Sequence, residues 1–183
     1  MKLMIASDIH GSAYYCEKLL LAWEREQKPK LLLLGDILYH GPRNDLPRDY
    51  APKKVIEMLN PLKEKLLCVR GNCEADVDQM VLEFPVLAEY AVLFVDGITI
   101  YATHGHVYHE KNPLPMEKGA VLLNGHTHVP KCVEHEDYVY MNPGSVSIPK
   151  EGSEHGYMVY EDGMFTWKNL DGKVYDEYII LKD

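Results

Sequence analysis

Apolar positions along the chain fall into short runs at two different periods. Lys2 to Ala6, Leu31 to Leu34 and Leu66 to Val69 are runs of strand length, the pattern of strands buried on both faces. Between them the period becomes helical. Cys16, Leu19, Leu20 and Trp23 stand at i, i+3, i+4 and i+7 behind Ser12, a residue type suited to an N-cap. Pro52 is placed as a first-turn proline for a helix that runs to Leu59 and carries Val55, Met58 and Leu59. Strand, helix, strand, helix, strand in this order predicts right-handed crossovers and a parallel sheet.

The second half is mostly strand. Val92 to Val95 and Ile98 to Tyr101 flank Asp96-Gly97, a hairpin signature. Val121 to Leu123, Val139 to Met141, Tyr157 to Tyr160, Met164 to Trp167 and Tyr175 to Leu181 are further short strands, with Gly163 and Asp171-Gly172 between the last three. Nothing linker-like divides the chain, so residues 1–183 are expected to form one domain. The predicted fold class is α/β: two mixed sheets packed together with helices outside, a four-layer α/β/β/α sandwich.

Composition narrows the field. The 183 residues are 46% hydrophobic and 26% charged, a globular profile. With 19 basic and 28 acidic residues, the formal net charge of −9 argues against an extended nucleic acid or an anionic membrane surface as partner. The apolar runs Leu19–Trp23 and Ala91–Val95 fall far short of the ~20 residues of a membrane span. The stretch before Ser7 is too short for a secretory core, and the four cysteines show no Cys-x-x-Cys spacing. The expectation is a cytoplasmic protein with reduced thiols, Cys16, Cys68 and Cys132 packing as small core residues. The 13 tyrosines, several of them in the last strands, leave a homo-oligomer open, although strand propensity explains them equally well.

The chemistry lies just past the strands. Ser7-Asp8-Ile9-His10-Gly11 follows the first, Gly35-Asp36 the second, Arg70-Gly71-Asn72 the third. Thr103-His104-Gly105-His106 follows Ile98–Ala102, and Asn124-Gly125-His126-Thr127-His128 follows Val121–Leu123. Each alone is ordinary turn chemistry. Five in succession, at the edge where α/β sheets bind ligands, are not. Asp, His and Asn suit Mn²⁺, Fe, Zn²⁺, Co²⁺ or Ni²⁺. Seven such side chains exceed one ion's needs but suit two ions that share a carboxylate bridge.

These blocks, Asp8-x-His10, Gly35-Asp36, Gly71-Asn72, His104 and Gly125-His126-x-His128, resemble those of the calcineurin-like metallophosphoesterases over nearly the whole chain. The small size is similar to that of the superfamily's bacterial and archaeal phosphodiesterases. The resemblance implies that Asp8, His10, Asp36 and His128 hold one divalent ion, and Asp36, Asn72, His104 and His126 a second. Asp36 is the implied bridge, Mn²⁺ the implied metal, and a hydroxide shared by the two ions the implied nucleophile on a small phosphodiester. Asp36, Asn72 and His104 are thereby catalytic candidates. Arg43, Asn44, His106 and His109 are candidates to orient the phosphate or leaving group, and Arg43 and Asn44 also fit a Gly-Pro turn. Asn142-Pro143-Gly144-Ser145 either backs the site or is a tight turn. His40 follows the Asp36 loop, His135 fits a solvated hairpin tip, and His155 fits a turn.

One position departs from many relatives, which carry histidine after the asparagine. Here Cys73 stands there, followed by Glu74. A thiol is a poorer donor to a leaving group than imidazole, so Cys73 is either a weak catalytic donor or a packing residue. The consequence expected is better turnover of diesters with good leaving groups than of alkyl monoesters. Three rivals follow from the same resemblance: a non-catalytic scaffold, disfavoured because all seven implied ligands remain; a nuclease, disfavoured by the acidic balance; and a phosphomonoesterase. A zinc base deaminase is excluded, because no Pro-Cys-x-x-Cys accompanies the histidines.

Overall fold

The computed structural model describes residues 1–180. In chain order it comprises β1 (Lys2–Ala6), α1 (Ala13–Arg25), β2 (Lys30–Leu33), α2 (Pro52–Leu59), β3 (Leu66–Cys68), α3 (Asp76–Val81), β4 (Ala91–Val95), β5 (Ile98–Ala102), β6 (Ala120–Leu123), β7 (Pro130–Glu134), β8 (Tyr138–Pro143), β9 (Gly156–Glu161), β10 (Met164–Asn169) and β11 (Val174–Ile179). A 3₁₀ segment, Asn60–Lys65, follows α2 directly.

The strands form two mixed sheets, the α/β architecture expected. One has the order β11-β10-β9-β1-β2-β3, the other β4-β5-β6-β8-β7. β1, β2 and β3 are parallel, as their helical crossovers require. In the second sheet β5, β6 and β8 are parallel, while β4 and β7 are antiparallel edge strands. The carboxyl ends of β1, β2 and β3 thus share one edge of the first sheet.

The period of two along β1 divides the core. Met4 and Ala6 face α1 and α2, where Cys16, Leu19, Trp23, Val55 and Leu59 meet them. Leu3 and Ile5 face the second sheet and pack with Ile100, Val121, Met141, Phe165 and Trp167. Ser12 caps α1, its side chain accepting from Tyr15 N. Asp96 (φ 51°) and Gly97 (φ 80°) make the β4–β5 turn with two left-handed residues, as a type I′ hairpin demands. The α-helices described all precede β4, and Val92 and Phe94 stand exposed on that strand.

Three differences from the predicted elements have local causes. Leu34 and Val69 lie one residue past their strands, although Leu34 N donates to Ala6 O at 2.9 Å and Val69 N to Leu33 O at 3.1 Å. β7, begun by a proline and of mixed polarity, is an edge strand without clean alternation. α3 has no buried face, so no period marks it. The last strand ends at Ile179, and Leu181, expected in it, lies outside the described residues.

Candidate metal centre

The loops after β1, β2, β3, β5 and β6 meet at one place, and backbone hydrogen bonds lash them together. Asp8 N donates to Gly35 O at 3.1 Å, His10 N to Asp36 O at 2.9 Å, and Gly125 N to His104 O at 2.8 Å. Asp8, His10, Asp36, His126 and His128 all have left-handed backbones, with φ between 49° and 65°. L-residues resist that conformation by about 1–2 kcal/mol each. Strain of this kind persists where surrounding contacts over-determine it, and it concentrates at functional sites.

The side chains converge. Asp8, His10 and His128 present ligand atoms within 4.8 Å of one another, as do Asp8, Asp36 and His104, and His10, Asp36 and Cys73. His10 Nε2 lies 3.4 Å from Asp8 Oδ1 and 3.6 Å from Asp36 Oδ2. His128 Nε2 lies 3.2 Å from Asp8 Oδ1. His104 Nε2 is 3.5 Å from Asp36 Oδ2 and 3.1 Å from Asn72 Oδ1. Asp36 Oδ2 is thus shared between the His10 side and the His104 side of the cluster. His126 stands outside the tight groups: its ring packs edge-on to His104 at 5.0 Å, while its backbone N–H donates to Asp8 Oδ2 at 3.0 Å.

Three imidazoles are oriented in the same way. His10 Nδ1 donates to Tyr39 O at 2.7 Å, His104 Nδ1 to Leu34 O at 2.6 Å, and His128 Nδ1 to Ile148 O at 2.7 Å. A proton on Nδ1 leaves Nε2 as a lone pair aimed into the cluster, the tautomer that metal ligation uses. Asp8 Oδ1, fully buried, has no hydrogen-bond partner. Lone pairs from three imidazoles facing carboxylate oxygens form an arrangement completed by a cation, so the residues fit divalent metal.

The field of the cluster shows in its titration. Burial would raise the Asp8 carboxyl, but the imidazoles of His10, His128 and His104 around it hold it well below the usual carboxylate range. Burial would lower His104, yet the Asp36 and Asp8 carboxylates favour positive charge there and push it up to about 9, so a proton and a metal ion compete for its Nε2. His126 goes the other way, lowered to about 4 by burial and the neighbouring His104 charge. Burial and nearby carboxylates push the Cys73 thiol well up, so it stays protonated at neutral pH.

Outside the cluster, a cavity of about 360 Å³ is walled by Asp36, Asn72, His126 and His128 together with Arg43, Asn44, Thr127 and Lys150. Arg43 and Asn44 therefore belong to both a turn and the site wall, since Asn44 Nδ2 donates to His40 O at 2.9 Å. His106 lies behind, its ring 5.4 Å from that of His104. His109 instead closes a local bridge with Asn112. His40 packs edge-on between Tyr39 and Tyr50, and His155 stacks on Tyr15 at 4.0 Å. The hairpin tip expected at His135 joins β7 to β8.

Glu74 has a role that the residue pattern does not reveal. Buried beneath the cluster, its carboxylate accepts from Asp36 N at 2.8 Å, Ile37 N at 2.7 Å and Gly71 N at 2.5 Å. Burial and the Asp36 charge push it up to about 7, against the pull of those three donors. Ser145 and Ser147 hydroxyls both donate to Asp8 O at 2.9 Å, and Asn142 Nδ2 donates to Gly125 O at 2.7 Å. The Asn142–Ser145 turn therefore backs the cluster. Lys150, five residues beyond that turn, carries no signal in the residue pattern.

The fold and the cluster place the chain in a family: it belongs to the calcineurin-like phosphoesterase superfamily, whose domain model matches residues 1–162. Phosphodiesterase YfcE of Escherichia coli K12 is 42% identical over 166 residues, which cover 91% of this chain and 90% of that protein. The structure of Yfce, a phosphoesterase from E. coli, superposes with a TM-score of 0.95 at 40% identity, covering 99% of this chain and all of the other. Vps29 of Chaetomium thermophilum, with a TM-score of 0.66 at 15% identity over both full chains, shares the fold alone. Among the described residues, no helix is long and apolar enough to cross a membrane.

Proposed function

We propose that the chain is a dinuclear, divalent-metal-dependent phosphodiesterase of small phosphodiesters. The observation that carries this reading is the convergence of Asp8, His10, Asp36, His104 and His128, with the Nδ1 of each of the three imidazoles tied to a backbone carbonyl. Asp8, His10, Asp36 and His128 would hold one ion, and Asp36, Asn72, His104 and His126 the other. Mn²⁺ is the proposed metal, and Fe, Zn²⁺, Ni²⁺ and Co²⁺ suit the same donors. Bound there, two such ions supply an acidified water as nucleophile and positive charge against the phosphoryl oxygens.

The chain's own residues do the rest. Arg43 and Lys150 place cationic groups on the cavity wall, where they orient a phosphate. Asn72, exposed at the mouth, is fixed by its contact with His104. Cys73 stays a neutral thiol, a weak donor to a departing alkoxide, which favours substrates whose leaving group needs little protonation. The net charge of −9 is no obstacle, since two divalent ions add +4 in the pocket itself. Aryl diesters are therefore the proposed better substrates and alkyl monoesters the poorer ones. The four thiols are free, which fits the cytoplasm as the proposed compartment.

The test is to chelate the protein, restore single metals, and compare an aryl phosphodiester with its matching monoester. Metal-restored activity that favours the diester is expected, with Asp36→Ala and Asn72→Ala each abolishing it. Activity that survives in both variants would overturn the assignment.

A further inference from the structure

A second cavity opens on the other side of Cys73. It is a groove of about 370 Å³, walled by Tyr39, Tyr50, Pro52, Ile56, Val77 and Val81. Its walls come from the loop after β2, the start of α2, and α3. The single charged side chain on the wall is Asp78, and its carboxylate is engaged as the acceptor for Ala75 N at 2.7 Å. Tyr39, Val77 and Val81 are 42%, 59% and 40% exposed, so apolar side chains of the groove are open to solvent.

The groove is continuous with the metal centre through two residues. Cys73 lines it, and the Cys73 sulfur also lies within 4.8 Å of ligand atoms of His10 and Asp36. Tyr39 contributes its side to the groove while its carbonyl accepts the His10 Nδ1 proton at 2.7 Å. A group seated there thus lies beside the cluster, within reach of an ester bond to a phosphorus held by it. The wall carries no cation to neutralise a second phosphate, whereas Arg43 and Lys150 stand on the wall of the other cavity. The two cavities divide the work by polarity: charged oxygens on one side, an uncharged apolar arm on the other. An apolar space of ~150 Å³ already suffices for benzene, so a ring fits this groove with room to spare. Two tyrosine rings and a proline offer flat faces for it.

Resting on the phosphodiesterase reading, we propose that this groove seats an aromatic ester arm of the diester, with Cys73 at the junction between arm and phosphate. A monoester with a small alkyl group leaves the groove unfilled. Substrate choice is then set by α3 as well as by the leaving group.

The experiment uses the Zn²⁺-loaded protein and the uncharged probe 2-naphthol, followed by methyl NMR. Shifts confined to the wall methyls, those of Val77, Val81 and Ile56 beside Leu38 and Ala75, are expected, with binding weakened fivefold or more in Val77→Gln and Val81→Gln. Met80→Gln, on the same helix but off the groove wall, should bind as the parent does. With bis(4-nitrophenyl) phosphate, the two valine variants should raise KM about fivefold and leave kcat within twofold, and Val77→Leu should restore KM. Shifts that miss these methyls, or binding and KM unchanged in both glutamine variants, would overturn the proposal. The two readings fail separately. No metal-stimulated diester hydrolysis in the parent protein sinks the function while naphthol still reports on the groove; hydrolysis with naphthol bound elsewhere sinks the groove alone.

Discussion

The Nε2 atoms of His10 and His128 face each other across 3.2 Å, on rings whose Nδ1 atoms are already committed to the carbonyls of Tyr39 and Ile148. Two lone pairs at that distance repel unless a cation or a proton lies between them. Both rings are buried, and both sit on left-handed backbones. A cation or a proton between the two nitrogens therefore completes the pair, and metal that binds there binds only the folded arrangement of these loops.

Metal should accordingly stabilise the fold. Binding at a hundredfold excess over Kd contributes about 2.7 kcal/mol, which corresponds to a rise in Tm of roughly 5–10 °C for a chain of this size. Differential scanning calorimetry of chelated and Mn²⁺-restored protein measures it. An unchanged Tm in saturating metal would show that the cluster binds none.

Glu74 should act through the loops it pins. Glu74→Ala leaves the N–H groups of Asp36, Ile37 and Gly71 without their acceptor. The expected cost is about 2–4 kcal/mol of stability and roughly 10–100-fold in metal affinity. Glu74→Gln keeps one acceptor oxygen and should fall between. Urea denaturation and metal titration read the two effects, and metal affinity within twofold of the parent in Glu74→Ala would remove this role.

The contrast between Glu74 and the candidate ligands shows what a sequence can disclose. The cluster was legible because each member sits beside a glycine or a second polar residue immediately after an apolar run, as in Gly35-Asp36 or Gly125-His126-x-His128. The sheets were legible because β1, β2 and β6 are continuous apolar runs. Glu74 was not, because its partners are backbone N–H groups that no residue pattern encodes. α3 was not, because Val77, Met80 and Val81 are exposed and impose no helical stripe. The groove was hidden too: its walls come from two stretches, residues 38–56 and 73–81, that meet only in the fold.

Two glycines of the centre should prove irreplaceable because of space. A Cβ on Gly71 would strike Asp36 Oδ1 and Glu74 Oε2, and one on Gly125 would strike Ser7 Oγ and Asp8 Oδ2. Either alanine displaces a candidate ligand carboxylate, and misplacement by about 1 Å costs on the order of a hundredfold in rate. Gly97→Ala is the control: its φ is 80° but nothing lies within 4 Å of the added carbon. It should lower stability by about 1 kcal/mol and leave kcat/KM unchanged. Gly71→Ala or Gly125→Ala with parental kcat/KM would contradict the geometry.

Far from the centre, Glu26 ties the end of α1 to the first sheet. Its carboxylate lies 2.8 Å from Lys2 Nζ and 2.7 Å from Lys168 Nζ, and it accepts from Tyr157 OH at 3.0 Å. Burial alone would raise its pKa, but the two ammonium groups outweigh burial and hold it below the usual glutamate value. The sign follows from linkage: a depressed folded-state pKa contributes stability above the unfolded value of ~4.3, and that contribution is lost as pH falls through the folded value. Glu26→Gln should therefore be less stable than the parent by about 1.5–3 kcal/mol at pH 7. The gap should hold down to about pH 5.5 and close progressively below about pH 4. Comparing the two proteins by urea denaturation at each pH cancels the titration of the metal-centre carboxylates, which both share. A gap that stayed constant from pH 7 to pH 3 would mean that shape and not charge makes Glu26 matter.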